Sequence, residues 1–163
     1  MNWDAIGAMG EIVGAAAVVA SLVYLAAQIR NQNRESRMSS MHDILVGYRD
    51  GLAVISAGDM ADLLVKAIDD YESLTRPEMM RLIASASSQY RLWEEAYLLY
   101  ESGYLEKRNW ETMLRQFNGY HSVRPFFEVW ETRKHYFDNE FRDFVDSLDP
   151  VDYGFLPVAQ RDA

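Results

Sequence analysis

Glu128, Glu131 and His135 are the residues whose spacing comes nearest to a metal site, because i, i+3 and i+7 positions share one side of a helix. Two carboxylates and an imidazole so placed could ligate one ion. A carboxylate-bridged bundle, however, repeats Glu-x-x-His with further glutamates, and this chain does not. A solvated, ion-paired face is the expected role, and no metal is assigned. Glu94 and Glu95 lie mid-helix beside an aromatic stripe. A salt bridge from one of them to Arg91, or to an arginine on a neighbouring helix, is expected over a perturbed catalytic acid. His42 and His121 have no neighbours at ligand spacing, and Asp69, Asp70 and Glu72 lack the spaced oxygens and glycine of a calcium loop. No phosphate-binding glycine loop or nucleophile elbow occurs. The catalytic set is empty and no cofactor is implied, so an anchored enzyme is the weakest class of function.

Glu11 is different, because of where it stands. It adjoins Ile12–Ile29, a run without a charged side chain, followed by Arg30, Arg34 and Arg37. At about 1.5 Å per residue this run crosses most of a hydrocarbon layer about 30 Å thick, and Ala5 to Gly10 can supply the rest. The basic residues lie on the C-terminal side and Asp4 is the sole charge before Glu11. The positive-inside rule therefore makes Arg30, Arg34 and Arg37 topology-determining. The expectation is a bacterial inner-membrane protein with its N-terminus outside and its main domain in the cytoplasm, the lipid bilayer being its first partner. A cleaved signal peptide fits less well: the n-region has no Lys or Arg, and cleavage after Ala27 would set Leu25 where a small residue is preferred. A buried helix of a soluble core is the other alternative, favoured by the Ala-rich composition and Glu11.

Gly7, Gly10, Gly14, Ala17, Ser21 and Gln28 share one face of this helix, with Ile12, Val19, Val23 and Ala27 opposite. Gly10 and Gly14 form a GxxxG pair, and small residues let backbones approach where lipid supplies no hydrophobic drive. The face is expected to pack against another helix. Glu11 flanks it. At the helix end it can simply reach water; in an assembly, several copies could line a lumen or share protons.

The elements that position these residues read as helical throughout. One heptad phase runs through Gly10, Ala17, Tyr24, Asn31, Met38, Leu45 and Leu52, joined by Met41, Tyr48 and Ile55. Neither Pro nor Gly interrupts residues 15–46, so one helix of about 50 residues and about 75 Å is expected, with Leu45, Tyr48 and Leu52 in the core. Gly51 could bend it, and the polar run Arg30 to Arg37 could fray. Ser56, Gly58 and Asp59 supply a stop and a new N-cap. A short helix from Asp59 to about Tyr71 turns Leu63, Leu64, Ala67 and Ile68 inward. Thr75 and Glu78 form a capping box, with Pro77 in the first turn, for a long helix to about Gly103. Its inward stripe is Met79, Ile83, Ala86, Tyr90, Trp93, Tyr97, Tyr100 and Tyr104, whose phenols need partners. A fourth helix, Asn109 to Asn118, carries Trp110, Met113, Leu114 and Phe117 and ends at Gly119. Ser122 caps a fifth from near Pro125 with Phe126, Val129, Trp130 and Arg133. Asp138 starts a sixth with Phe141, Phe144, Val145 and Leu148 inward.

The fold class is therefore all-α: a long N-terminal transmembrane helix continuing into a compact cytoplasmic bundle of about five further helices. The domains are an anchor with its basic segment (1–37), a helical domain (38–148) and an extended tail (149–163), whose Tyr153, Phe155, Leu156 and Val158 are free to pack against a neighbour.

The net charge of −9 falls entirely on residues 38–163, which excludes nucleic acid as a partner. Absence of cysteine removes disulfides, thiolate metal sites and a Cys nucleophile, and it suits a reducing compartment.

Both ends of the chain resemble a family of short bacterial proteins. Met1-Asn2-Trp3, Ala5-Ile6, Glu11-Ile12, Gly14-Ala15 and Tyr24-Leu25 through Gln28-Ile29-Arg30 are similar to their shared anchor. Pro125, Trp130-Glu131, Phe137-Asp138, Glu140-Phe141-Arg142 and Phe144-Val145-Asp146 are similar to their tails, except that Val129 stands where those often carry a second tryptophan. The resemblance implies a single-pass membrane protein and no catalytic residue.

Two function classes follow. The first is a self-assembling, homo-oligomeric membrane complex, one form of which encloses a pore or lipid-filled lumen. The second is an anchored module that docks an unidentified membrane or cytosolic protein through its acidic helical domain.

Overall fold

The computed structural model describes residues 3–154 and, for residues 7, 9 and 11–154, the surroundings of the side chains as well. The surroundings of Gly10 lie outside the described residues, as do Phe155, Leu156, Pro157 and Val158 of the tail. Six α-helices follow in order: α1 (Trp3–Ser56), α2 (Gly58–Asp69), α3 (Arg76–Glu101), α4 (Lys107–His121), α5 (Arg124–Arg133) and α6 (Asn139–Asp146). Short 3₁₀ turns at Tyr71–Ser73 and Lys134–Tyr136 complete the set. The fold is all-α, with one long apolar N-terminal helix and five further helices. The chain divides into two units, Met1–Ser39 and Ser40–Ala163.

In the first unit the sequence from Glu11 onward is long and apolar enough to cross a membrane, by length and composition. Every residue from Glu11 to Ser39 is exposed. The polar run Arg30 to Arg37 is helical rather than frayed. Its Arg, Gln and Glu residues have high helix propensity, which offsets the weaker Asn31, Asn33 and Ser36, and no Gly or Pro breaks the ladder there.

In the second unit three apolar clusters make the core. Met60, Leu63, Leu64 and Ala67 of α2 meet Leu82 and Ala86 of α3 and Phe126 and Val129 of α5. Tyr90 and Trp93 of α3 meet Phe117 of α4, Trp130 of α5, and Phe141 and Val145 of α6. Ile44 of α1 meets Ala96, Leu105 and Trp110. Burying each Leu, Ile, Val, Met or Phe among them is worth about 1.5–3 kcal/mol.

The helix ends follow local chemistry, with three corrections. Glu78 accepts the Thr75 backbone N–H at 2.7 Å, as the capping box requires, and Asp138 accepts from the N–H groups of Glu140 and Phe141. Gly103, at φ +72°, ends α3 in the left-handed conformation that glycine alone adopts cheaply. The N-cap of α2, in contrast, is Ala57, with no side-chain bond, rather than Ser56, Gly58 or Asp59. Gly119 does not end α4, which continues to His121. It is buried because the Tyr153 ring lies where its Cβ would stand, 2.3 Å from that point. Ser122 does not cap α5: its Oγ donates to the Asn118 carbonyl at 2.7 Å and accepts the Val151 N–H at 2.9 Å. Together with the Asn118 Nδ2 bond to the Asp149 carbonyl at 2.8 Å, this ties the described part of the tail back onto α4.

The face of α1 in the second unit is also corrected. Leu45 and Leu52, expected in the core, are 49% and 38% exposed, whereas Ile44 and Gly51 are buried. Tyr48 is half-buried, and Met41 and Ile55 pack on the core as the heptad reading has them. The buried stripe is therefore Met41, Ile44, Tyr48, Gly51 and Ile55. Gly47 and Gly51 select this side. A Cβ on Gly47 would stand 2.8 Å from Leu92 Cδ1, and one on Gly51 would stand 1.9 Å from Gln89 Nε2, so α3 side chains occupy the space that larger residues would fill. Gly51 is thus a close-approach position inside the helix.

Candidate functional site

The first candidate is the apolar stretch of α1. Its small face is open: a Cβ added to Gly7 or to Gly14 would meet nothing within 4 Å. Ala17, Ser21 and Gln28 are exposed on the same face, and the Ser21 hydroxyl is satisfied within the helix by the Ala17 carbonyl at 2.9 Å. Glu11 is exposed at the start of the run. Arg30, Arg34 and Arg37 are exposed, and among the described residues none of them makes an ion pair.

The second candidate is the set of acids and aromatics in the bundle. Glu94, only 8% exposed, accepts from Arg91 Nη1 at 2.5 Å and from the Asp138 backbone N–H at 2.7 Å. Arg91 also donates to the Tyr136 carbonyl at 2.7 Å and lies 4.3 Å over the Phe137 ring. The expected Arg91 salt bridge is thus made by Glu94, and it holds the turn before α6 against α3. Glu95 is exposed. With Asp50, Ser85, Ser88 and Gln89 it lines an open cleft of about 500 Å³, and with Leu98 and Tyr104 another of about 360 Å³.

Glu128, Glu131 and His135 form no common site. Glu128 faces Arg124 at 3.6 Å, Lys134 bridges Glu131 at 3.0 Å and Asp146 at 3.1 Å, and the exposed His135 ring lies 4.0 Å from that of Tyr136. Among the described residues no group of three or more His, Cys, Asp or Glu side chains converges as a metal would require.

The aromatic stripe is core. Tyr90, Trp93, Trp110, Trp130 and Phe141 are buried and Tyr97 and Tyr100 half-buried, whereas Tyr104 at its end is exposed. Tyr97 stacks with Phe144 and Tyr100 with Trp110, at 5.0 and 5.2 Å between centroids. Trp130 Nε1 donates to Asp146 at 2.8 Å. The Tyr90 hydroxyl donates to the Phe126 carbonyl at 3.2 Å and lies 2.9 Å from Nδ1 of His121, a side chain 1% exposed. The phenol thus stands between a carbonyl acceptor and an imidazole nitrogen, and it ties α3 to the end of α4 and to α5. Sequence reading missed the Tyr90–His121 pair. The signal available was a tyrosine on an inward stripe, which needs a polar partner.

Tyr48, Tyr120 and Tyr153 gather nearby, Tyr120 and Tyr153 with ring centroids 5.3 Å apart. Burial raises the Tyr120 hydroxyl pKa well above the usual phenol value, as hydrogen bonding to Tyr153 does further. Burial likewise raises that of Tyr48. These are neutral core groups, not bases. The space between Tyr90, Trp93, Tyr120, Phe126 and Gln89 is about 10 Å³, the size of about one water molecule and far below that of a substrate.

No family model, no curated protein and no solved structure matches the chain.

Proposed function

We propose that this chain is a membrane-anchored, self-assembling helical protein: a homo-oligomer of the inner membrane with its N-terminus outside and its acidic bundle in the cytoplasm. The observation that carries the reading is the exposure of every residue from Ile12 to Ile29. Nine large apolar side chains there, among them Val13, Leu22 and Ile29, have no cover. At about 1.5 kcal/mol or more each, leaving them in water would cost on the order of 10 kcal/mol, comparable with the entire net stability of a domain. A bilayer removes that cost, and the helix already satisfies its own backbone. The open face of Gly7, Gly14, Ala17, Ser21 and Gln28 then supports contact with an identical face.

The mass of the full-length protein in lipid nanodiscs, by native mass spectrometry, tests this. A defined multimer is expected, and Gly10→Ile with Gly14→Ile should dissolve it to single chains. A wild-type monomer would overturn self-assembly. Glu11→Leu addresses the lumen form: unchanged mass together with unchanged ion conductance of reconstituted vesicles would remove Glu11 from any such role.

The charge of −9 confined to residues 38–163 favours a second reading, in which the bundle docks a basic partner protein. Capture from a lysate that weakens steeply with salt, by a wild type that is monomeric, would support it over assembly.

A further inference from the structure

We infer that the helical segment from Arg30 to Met38 joins two copies of this chain as a parallel, in-register coiled coil. The inference rests on the self-assembly reading above, since copies anchored in one membrane with one topology present this segment side by side and pointing the same way. What selects the partner is charge. Glu35 has no cation at i±3 or i±4 on its own helix, where Asn31, Gln32, Met38 and Ser39 stand. Arg30 and Arg34, by contrast, repel each other at i,i+4. Among the described residues none of the three is ion-paired.

In the heptad phase that puts Asn31 and Met38 at position a, Arg30 falls at g, Arg34 at d and Glu35 at e. A parallel pair sets each g residue beside the e residue five positions on in the other chain, so Arg30 meets the second copy's position 35, and Glu35 its position 30. A d side chain enters the hole formed by the facing a, d, e and following a residues, so Arg34 also lies against the facing glutamate. Each Glu35 thus gains the cations that its own helix lacks, and these contacts offset the like charge of the two Arg34 side chains that face each other across the d layer. Asn31 at position a is the kind of buried polar residue that favours two strands in one register. Met38 then closes the segment with an apolar contact; it is 65% exposed in the single chain. In the second unit, too, position a is left outside the core, at Leu45 and Leu52. Two chains enclose no lumen, so this pairing decides between the forms of assembly.

The chain has no cysteine, which makes disulfide trapping clean. Asn31→Cys and Met38→Cys, introduced singly into the full-length protein in phosphatidylcholine–phosphatidylglycerol vesicles and oxidised with copper phenanthroline, should cross-link to dimers at least five-fold more than Asn33→Cys and Ser36→Cys, whose positions c and f face away. Glu35→Lys should lower trapping at position 31 several-fold, and Arg30→Glu added to it should restore much of the loss. Equal trapping at all four positions, or no effect of Glu35→Lys, would overturn the pairing. The native mass separates the two proposals. Two chains is the expected result; a larger defined multimer overturns this pairing but keeps self-assembly; a monomer overturns both.

Discussion

The two units of this protein use apolar residues for opposite purposes. Between Ile12 and Ile29 the side chains are uncharged, mostly apolar and all exposed, whereas in the bundle Trp130, Phe141, Val129 and Val145 have no exposure at all. Both are helical, so helix formation does not depend on being buried. In the bundle, helices are held by one another, with Tyr90 packed among Trp93, Phe117 and Trp130 and bonded to His121. In the first unit the ladder is local, and the apolar side chains from Ile12 to Ile29 are exposed. The lesson is that apolar content has two readings, and only periodicity and charge placement separate them: the bundle helices alternate buried and polar faces, whereas the stretch from Ile12 to Ile29 carries no charge on any side.

The sharpest way to break this contrast is to delete one large side chain from each unit. Trp130→Ala removes a fully buried ring and leaves Asp146 without its indole donor. It should cost about 3–5 kcal/mol in urea unfolding of the bundle followed by tryptophan fluorescence and circular dichroism. Val19→Ala should leave the same transition within about 0.5 kcal/mol, since Val19 is exposed and belongs to the first unit. A comparable loss from Val19→Ala would break the contrast, because apolar side chains of the first unit would then add to the stability of the second.

Glycines give a second, smaller contrast. Gly119→Ala drives a Cβ into the Tyr153 ring and should cost about 1–3 kcal/mol, with faster hydrogen exchange over residues 149–154 as the tail is displaced. Gly14→Ala enters open space and should leave bundle stability unchanged. Unchanged exchange in Gly119→Ala would show that the tail is held by Ser122 and Asn118 alone.

The smallest effect is electrostatic. Bonds from Lys66 and Thr75 hold the Glu78 carboxyl at about 2, below its ordinary 4.5. The unfolded chain therefore binds the proton first on acidification. The contribution of Glu78 is complete above about pH 5 and is lost as the pH falls through 4.5 toward 2. Glu78→Gln should flatten the wild-type decline in melting temperature across that window, by a small amount because the pair is partly exposed. Parallel declines in both proteins would place the acid sensitivity elsewhere.

Much of the architecture was legible because helix signals are local. The Thr75–Glu78 box, Pro77, the Asp138 cap and the uninterrupted stretch before Gly47 each act within one turn, and the helices begin and end close to them. The expected ends that failed, at Gly119 and Ser122, did so because those residues answer to the tail, about 30 positions away. The candidate site was less legible. Glu94 and Arg91 were readable as a pair because they stand three apart, but the Asp138 N–H that completes the site comes from 44 residues on. Tyr90 and His121 meet across 31 residues, with no shared motif to announce them.

By itself, the sequence determined the length and apolarity of the first helix, the placing of basic residues after it and of excess acid beyond, and the start of each helix with a cap of its own. These are sums over neighbouring residues and need no fold to be evaluated. Only the tertiary structure decided which side of α1 faces the core. Its heptad pattern offers two flanks around Met41, Tyr48 and Ile55, one bearing Leu45 and Leu52 and the other Ile44 and Gly51. Hydrophobicity alone favours the leucines. The glycine flank wins because Leu92 and Gln89 of α3 fill the room that glycine leaves, and close packing outweighs the apolar area of two side chains left outside.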